Sequence, residues 1–242
     1  MNSAARSVST GRPARAVDHD SREHLLDAAT RLFSERGVAN TTVAQVAAAS
    51  GVTSAMVHYW FKTRARLLDA IVDERVAIAF QAVWGPFDPE AGEEPLIQMV
   101  GVLQRMFEVT ENMSWLPSLW LREIINEGGL LRERAFRRIP FKKIQRFGES
   151  MARGKARGKL NEHIDPLLLF SSILALVMLP LATSSIWRQL HPAATFDHAN
   201  LKRHVTALLL DGAIRNRVPA AACAPRGRGR PKSEPRSKRR AT

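Results

Sequence analysis

The chain has 242 residues, enough for one large or two small domains with a real buried core, and a net charge of +13. Its single cysteine, Cys223, excludes an intrachain disulfide framework and a cysteine zinc site. The charge is uneven: from Pro225 onward there are eight Lys and Arg against one acid, Glu234, which is the distribution of a polyanion binder with a basic end.

The opening run MNSAARSVSTGRPARA has no apolar core segment, so no secretory signal is expected and the cytoplasm is the natural compartment. Residues 1–19, rich in Ser, Ala, Arg and Pro, read as a flexible basic arm. A first helix is expected from Asp20 or Ser21, with Glu23 completing a capping box. Leu25, Ala29, Leu32 and Phe33 form its inner face, and Gly37 ends it.

From Gly37 to Leu68 the chain reads as two short helices joined by a glycine turn, then a third capped helix. Thr42 with Gln45 three residues later is a second capping box, and Val43, Val46 and Ala47 form the apolar face behind it. Gly51 stands where a left-handed residue is needed to turn the chain. Val52 is an apolar plug, and Thr53 caps a helix that carries Ser54, Ala55 and Met56 on its first turn. Such a unit offers the N-terminus of its second helix to a major groove, where small polar side chains reach base edges. Thr63 caps a further helix with Leu67, Leu68, Ile71 and Val72 inward, which runs to about Val83 before Pro86 and Pro89.

The segment Thr41-Thr42, Val46-Ala47, Gly51-Val52-Thr53, His58-Tyr59-Trp60 and Phe61 resembles the signature of the TetR family of bacterial transcriptional regulators over about thirty residues. The resemblance implies an all-α fold: a helix-turn-helix DNA-binding domain at 20–83 and a larger helical effector-binding and dimerisation domain at 84–217, followed by a disordered basic tail at 218–242. It implies DNA contacts from Thr41, Thr42, Thr53, Ser54, Ala55, Met56, His58 and Tyr59. Lys62 and Arg64 would reach phosphates beside them. Two positions depart from the family pattern, His58 for the usual tyrosine and Arg64 for the usual lysine.

GPFDPEAGEEP separates the halves, and from Pro95 to about Arg217 the pattern is helical. Helices are expected at 95–111, 116–127, 129–157, 165–188 and 197–216. Residues 166–187 carry no charge. They are long enough to span a bilayer, but Pro180 and the interspersed Ser and Thr favour a helix buried in a protein, and the resemblance implies packing with the last helix against a symmetry mate. Met106, Phe107, Trp120, Phe147, Met151 and Phe170 are the candidate pocket for a small effector.

No Gly-x-Ser-x-Gly elbow, phosphate-cradling glycine loop or His-x-x-x-His pair is present, so neither an enzyme nor a cofactor or metal is expected. In the tail, Arg228-Gly229-Arg230-Pro231-Lys232 resembles an AT-hook, whose extended core lies in a narrow A·T-rich minor groove. The sequence therefore reads as a homodimeric, ligand-responsive DNA-binding regulator, most simply a repressor. The alternative is a nucleoid-associated protein of low sequence specificity that binds DNA through its basic ends.

Overall fold

The computed structural model describes residues 14–190 and 197–214, with side-chain environments from His19 onward, and no strand occurs among them. The tail residues Arg228, Arg230 and Lys232 lie outside the described residues.

Helix α1 spans Ala14–Arg36. It begins six residues before the expected Asp20, so the Asp20–Glu23 capping box does not form and residues 14–19 belong to the helix instead of an arm. Glu23 instead pairs with Arg75 at 2.8 Å. Helices α2 (Val43–Ala49), α3 (Ser54–Phe61) and α4 (Arg64–Ile71) follow. Each begins on a threonine whose Oγ1 accepts the backbone N–H three residues on: Gln45 at 3.2 Å, Met56 at 3.3 Å and Arg66 at 3.2 Å. Gln45 Oε1 returns the bond to Thr42 N at 2.8 Å, which closes the expected capping box. Gly51, between α2 and α3, has φ +71°, the left-handed value that only glycine adopts without strain.

Helix α4 continues through a π-helical turn, Val72–Val76, into α5, Ala77–Trp84. In the second half, α6 spans Pro95–Asn112 and α7 Leu116–Leu119, which runs into a second π-helical turn, Trp120–Ile124. The helix expected over 129–157 is two: α8, Arg132–Phe136, and α9, Phe141–Ala156. Pro140 breaks it, because a proline disfavours helical backbone at the residue before it and supplies no N–H. The helix expected over 165–188 is α10, Pro166–Ala182, and α11, Ser184–Leu190, bent by 64° at Thr183. Among the described residues no single helix is long and apolar enough to cross a membrane, and the bent pair passes only when joined. Helix α12 spans His198–Ile214.

Two apolar cores result. One gathers Leu25, Leu26, Phe33, Val46, Val57, Phe61, Leu67 and Ile71 of α1–α4. It is completed by Leu119, Ile124, Leu131 and Ala135 from beyond the expected boundary after Val83. The other gathers Trp84, Phe87, Met99, Leu103, Phe107, Phe147, Met151, Ile173 and Val205. Trp115 and Trp120 pack on both, so the two halves share a wall.

Candidate nucleic-acid interface and effector cavity

Burial sorts the helix-turn-helix residues by side. On α3, Val57 and Phe61 point into the core, which turns Thr53, Ser54, Ala55, His58 and Tyr59 outward; Tyr59 is 60% exposed. Thr42 is exposed on the preceding cap, and its hydroxyl, accepting from Gln45, keeps its own O–H for an outside acceptor. Met56 is half-buried at the edge of this surface. Lys62 closes α3 with φ +58°, while Thr63 N–H reaches Phe61 C=O at 2.5 Å, a γ-turn that is strained for a non-glycine residue. The turn leaves Lys62 exposed, its ammonium 5.4 Å from the Tyr59 ring centroid. One cation, one phenol and a row of small polar residues thus share one face, which is the composition that phosphate positioning and base reading require.

Two expected contacts are not on that face. Thr41 is buried, at 1% exposure, and its Oγ1 donates to Gly37 C=O at 2.8 Å, so it braces the turn after α1. Arg64 is half-buried, and its guanidinium donates to Val38 C=O. Their place in the motif predicts DNA contacts, but the Thr41 hydroxyl and one Arg64 N–H are taken by the protein's own backbone.

The N–H of that same Val38 is held from the other side. Glu123 Oε1 accepts it at 2.8 Å and Oε2 accepts Leu130 N–H at 3.1 Å, with Glu123 only 6% exposed. A buried carboxylate is costly unless its oxygens are hydrogen-bonded, and here each has a backbone donor. Glu123 lies in the π-helical turn that starts at Trp120, and Trp120 lines a cavity. Val38 is therefore pinned between the second half (Glu123) and the N-terminus of α4 (Arg64). No local sequence signal marks Glu123 for this role, since the contact spans 85 residues.

The cavity has a volume of about 310 Å³. Ala79, Phe80, Val83, Met106, Trp120, Phe141, Phe170 and Leu174 are among its walls. Of the expected pocket residues, Met106, Trp120 and Phe170 line it. Phe107, Phe147 and Met151 do not; each is fully buried in the core. Phe147 stacks edge-on behind Trp84 at 5.9 Å, and Phe107 packs on His198 at 5.3 Å, which takes both rings out of the lining. The polar wall groups are occupied: Thr110 Oγ1 bonds Met106 and Phe107 carbonyls, and Ser171 Oγ donates to Leu168 C=O at 2.7 Å. A second, outer depression of about 670 Å³ shares Phe80, Trp84, Ile139, Pro140 and Phe141 with the first.

A third feature is the apolar outer surface of the C-terminal helices. Leu167, Leu168 and Leu179 of α10, Ile186, Trp187 and Leu190 of α11, and Leu208 of α12 are between 42% and 83% exposed. The inner side of α12, Leu201 and Val205, is buried against the second core. Among the described residues no group of three His, Cys, Asp or Glu side chains is gathered closely enough to hold a metal ion.

The chain thus combines a three-helix head with an exposed second helix of a helix-turn-helix and an apolar cavity in an all-helical body. Residues 25–71, the head, match the family model described as bacterial regulatory proteins, tetR family. Among curated relatives, the HTH-type transcriptional regulator AcrR of Shigella flexneri is 40% identical over 52 residues, 22% of this chain and 24% of that protein. The chain thus spans about a quarter of the length of the first curated relatives it matches. The HTH-type transcriptional regulator BetI of Stenotrophomonas maltophilia is 27% identical over 109 residues, 45% of this chain and 55% of that protein. In fold, the chain resembles the transcriptional regulator FadR of Bacillus subtilis in complex with stearoyl-CoA, with TM-score 0.58 and 18% identity over 79% of this chain and 98% of that one. The ketosteroid transcriptional regulator KstR2 of Mycobacterium tuberculosis is similar, with TM-score 0.61 and 17% identity over 86% and 100%.

Proposed function

We propose that the protein is a cytoplasmic, homodimeric, sequence-specific transcriptional regulator, without enzymatic activity, that leaves its operator when a small apolar effector enters the cavity. The observation that carries this reading is the outward row Thr53, Ser54, Ala55, His58 and Tyr59 on a helix whose other side is locked into the core. In a dimer two such helices would enter major grooves about 34 Å apart, or a small multiple of that distance. The exposed apolar surface of α10, α11 and α12 is the surface a second copy would cover.

The link from effector to DNA runs through shared parts. Trp120 belongs to the cavity wall and packs on the head core, and Glu123 in the same turn holds Val38. An effector that fits one placement of this turn better than another shifts the spacing of the two heads, and only such differential affinity moves the equilibrium. The relatives named as regulators of transcription, and the fold neighbours whose names include stearoyl-CoA and a ketosteroid, support both a DNA operator and an apolar effector. Repression is the simpler mode, because operator occupancy by itself blocks a promoter. The basic tail would add phosphate contacts, and its Arg228-Gly229-Arg230-Pro231 core would favour A·T-rich flanks.

Mapping the genomic sites bound by the chain, then titrating it against the best site and a scrambled duplex at one salt concentration, tests the reading. A specificity ratio of about 10³ or more supports it. A ratio near one would sink it in favour of a DNA-organising protein that binds with little sequence choice.

A further inference from the structure

We infer that the effector is an amphiphilic anion, an apolar body ending in one carboxylate or phosphate, with its body in the inner cavity and its charged end in the outer depression. The inference rests on the proposed reading of the cavity as an effector site and adds the chemistry of the ligand.

Three observations carry it. First, the inner cavity offers a ligand almost no free polar partner, because its walls are apolar side chains and the Thr110 and Ser171 hydroxyls are bonded within the protein. A polar group placed there would lose its hydration without replacement. Second, the inner and outer spaces adjoin, sharing five lining residues, Phe80, Trp84, Ile139, Pro140 and Phe141, which puts the outer space within reach of the end of an elongated molecule seated in the inner one. Third, the outer space is lined by three cations, Arg138, Lys142 and Lys143, against one carboxylate, Asp73.

The cations differ in what else they do. Arg138 Nε is paired with Asp73 Oδ1 at 2.8 Å. The Lys143 ammonium donates to the Trp84 and Gly85 carbonyls at 2.6 and 3.0 Å, which leaves one N–H and the full charge. Lys142 is exposed and, among the described residues, has no hydrogen bond or ion pair. Lys142 and Lys143 stand on the first turn of α9, whose dipole adds positive potential on the same side. Positive charge at the mouth of an apolar cavity selects an anion at one end of an apolar body. A neutral hydrocarbon gains nothing from it, and an anion with its charge mid-chain would bury that charge among the walls.

The test uses the full chain and four twelve-carbon probes below their aggregation concentrations: dodecanoate, dodecyl phosphate, dodecan-1-ol and methyl dodecanoate. Binding is read from tryptophan fluorescence, since Trp84 and Trp120 line the cavity. At least one anion should bind ten-fold or more tighter than the alcohol and the ester, and the stronger anion identifies the head group as carboxylate or phosphate. Lys142→Glu should lower that ratio at least five-fold while leaving alcohol binding unchanged, and Leu174→Trp, which fills the cavity, should weaken all four probes. If anions and neutral probes bind alike, or Lys142→Glu leaves the ratio intact, the charged-end proposal fails while the effector-cavity reading stands. If none binds, or Leu174→Trp changes nothing, the cavity reading fails and takes the proposal with it.

Discussion

The head and the body are built from the same material, amphipathic helices around apolar cores, but they hold the residues of the proposed sites in opposite ways. In the head those residues face out, and their positions follow from hydrogen bonds between residues three apart: Thr42 to Gln45, Thr53 to Met56, Thr63 to Arg66. In the body they face in, and their positions depend on which aromatic rings fill the core and which are left to line a space. Phe147 and Phe170 are both aromatic and both near Trp84, at 5.9 and 4.9 Å, yet only Phe170 reaches the cavity. A surface site can be specified by short-range capping; a cavity is specified by what packing leaves out.

The contrast has consequences of graded size. The largest is at the apolar outer surface, where the body acts on the head only through assembly. Leu179 of α10 is 51% exposed on this surface and does not line the cavity. Leu179→Glu should give monomers by light scattering, with operator affinity reduced more than about 100-fold while the helical content stays intact. An unpaired charge at a dimer core costs several kcal/mol, on the order of 3–5. A dimeric Leu179→Glu chain with normal operator binding would place the dimer surface elsewhere.

Next comes the wall between the halves. Glu123→Ala leaves the Val38 N–H buried without an acceptor, while the N–H of the exposed Leu130 can turn to water, and stability should fall by about 1–3 kcal/mol. Chemical denaturation reads this directly. The head should loosen with the body, since Leu119 and Ile124 of the neighbouring turns complete the head core. A loss under about 0.5 kcal/mol would mean that the Glu123 clamp contributes little.

A head-only change should be smaller. Thr42→Ala removes the capping box of α2 at a cost of about 1 kcal/mol and also removes an exposed hydroxyl from the proposed DNA-binding surface. Operator affinity should drop several-fold, while the affinity of apolar probes for the cavity stays constant. Equal operator affinity in the variant would remove Thr42 from the docking surface.

The smallest effect is electrostatic. Arg22 of α1 forms a two-point pair with Glu74 of the π-helical turn, at 2.7 and 2.6 Å. Hydrogen bonding from Arg22, opposed by burial, holds the Glu74 carboxyl below its ordinary value. A depressed carboxyl pKa stabilises the fold above the unfolded-state value near 4.5, and that contribution is lost as pH falls through the folded-state value. Because the pair is about a third exposed, the loss should be about 1 kcal/mol or less. Glu74→Gln should flatten this part of the stability profile below about pH 5; an unchanged profile would show that the pair contributes nothing measurable.

The helix-turn-helix is legible in the chain's local pattern: its caps at Thr42, Thr53 and Thr63, its turn at Gly51 and the outward row that starts at the Thr53 cap of α3. Those are local features, set by backbone groups a few residues apart and by which face of a short helix is apolar. The all-helical body and the apolar C-terminal helices are legible there too. Which way particular members of those patterns turn is set by packing between segments distant in the chain. Thr41 and Arg64 stand in the DNA-binding motif but bond Gly37 and Val38. Phe107, Phe147 and Met151 have the composition of a pocket but fill the core. Leu174 and Leu179 share one uncharged helix but face a cavity and the outside. Glu123 becomes a clamp because a loop 85 residues earlier brings it an N–H. Periodicity assigns a residue to a face, but whether that face meets core, cavity, backbone or solvent depends on contacts with distant segments, and those are encoded in no window of the chain.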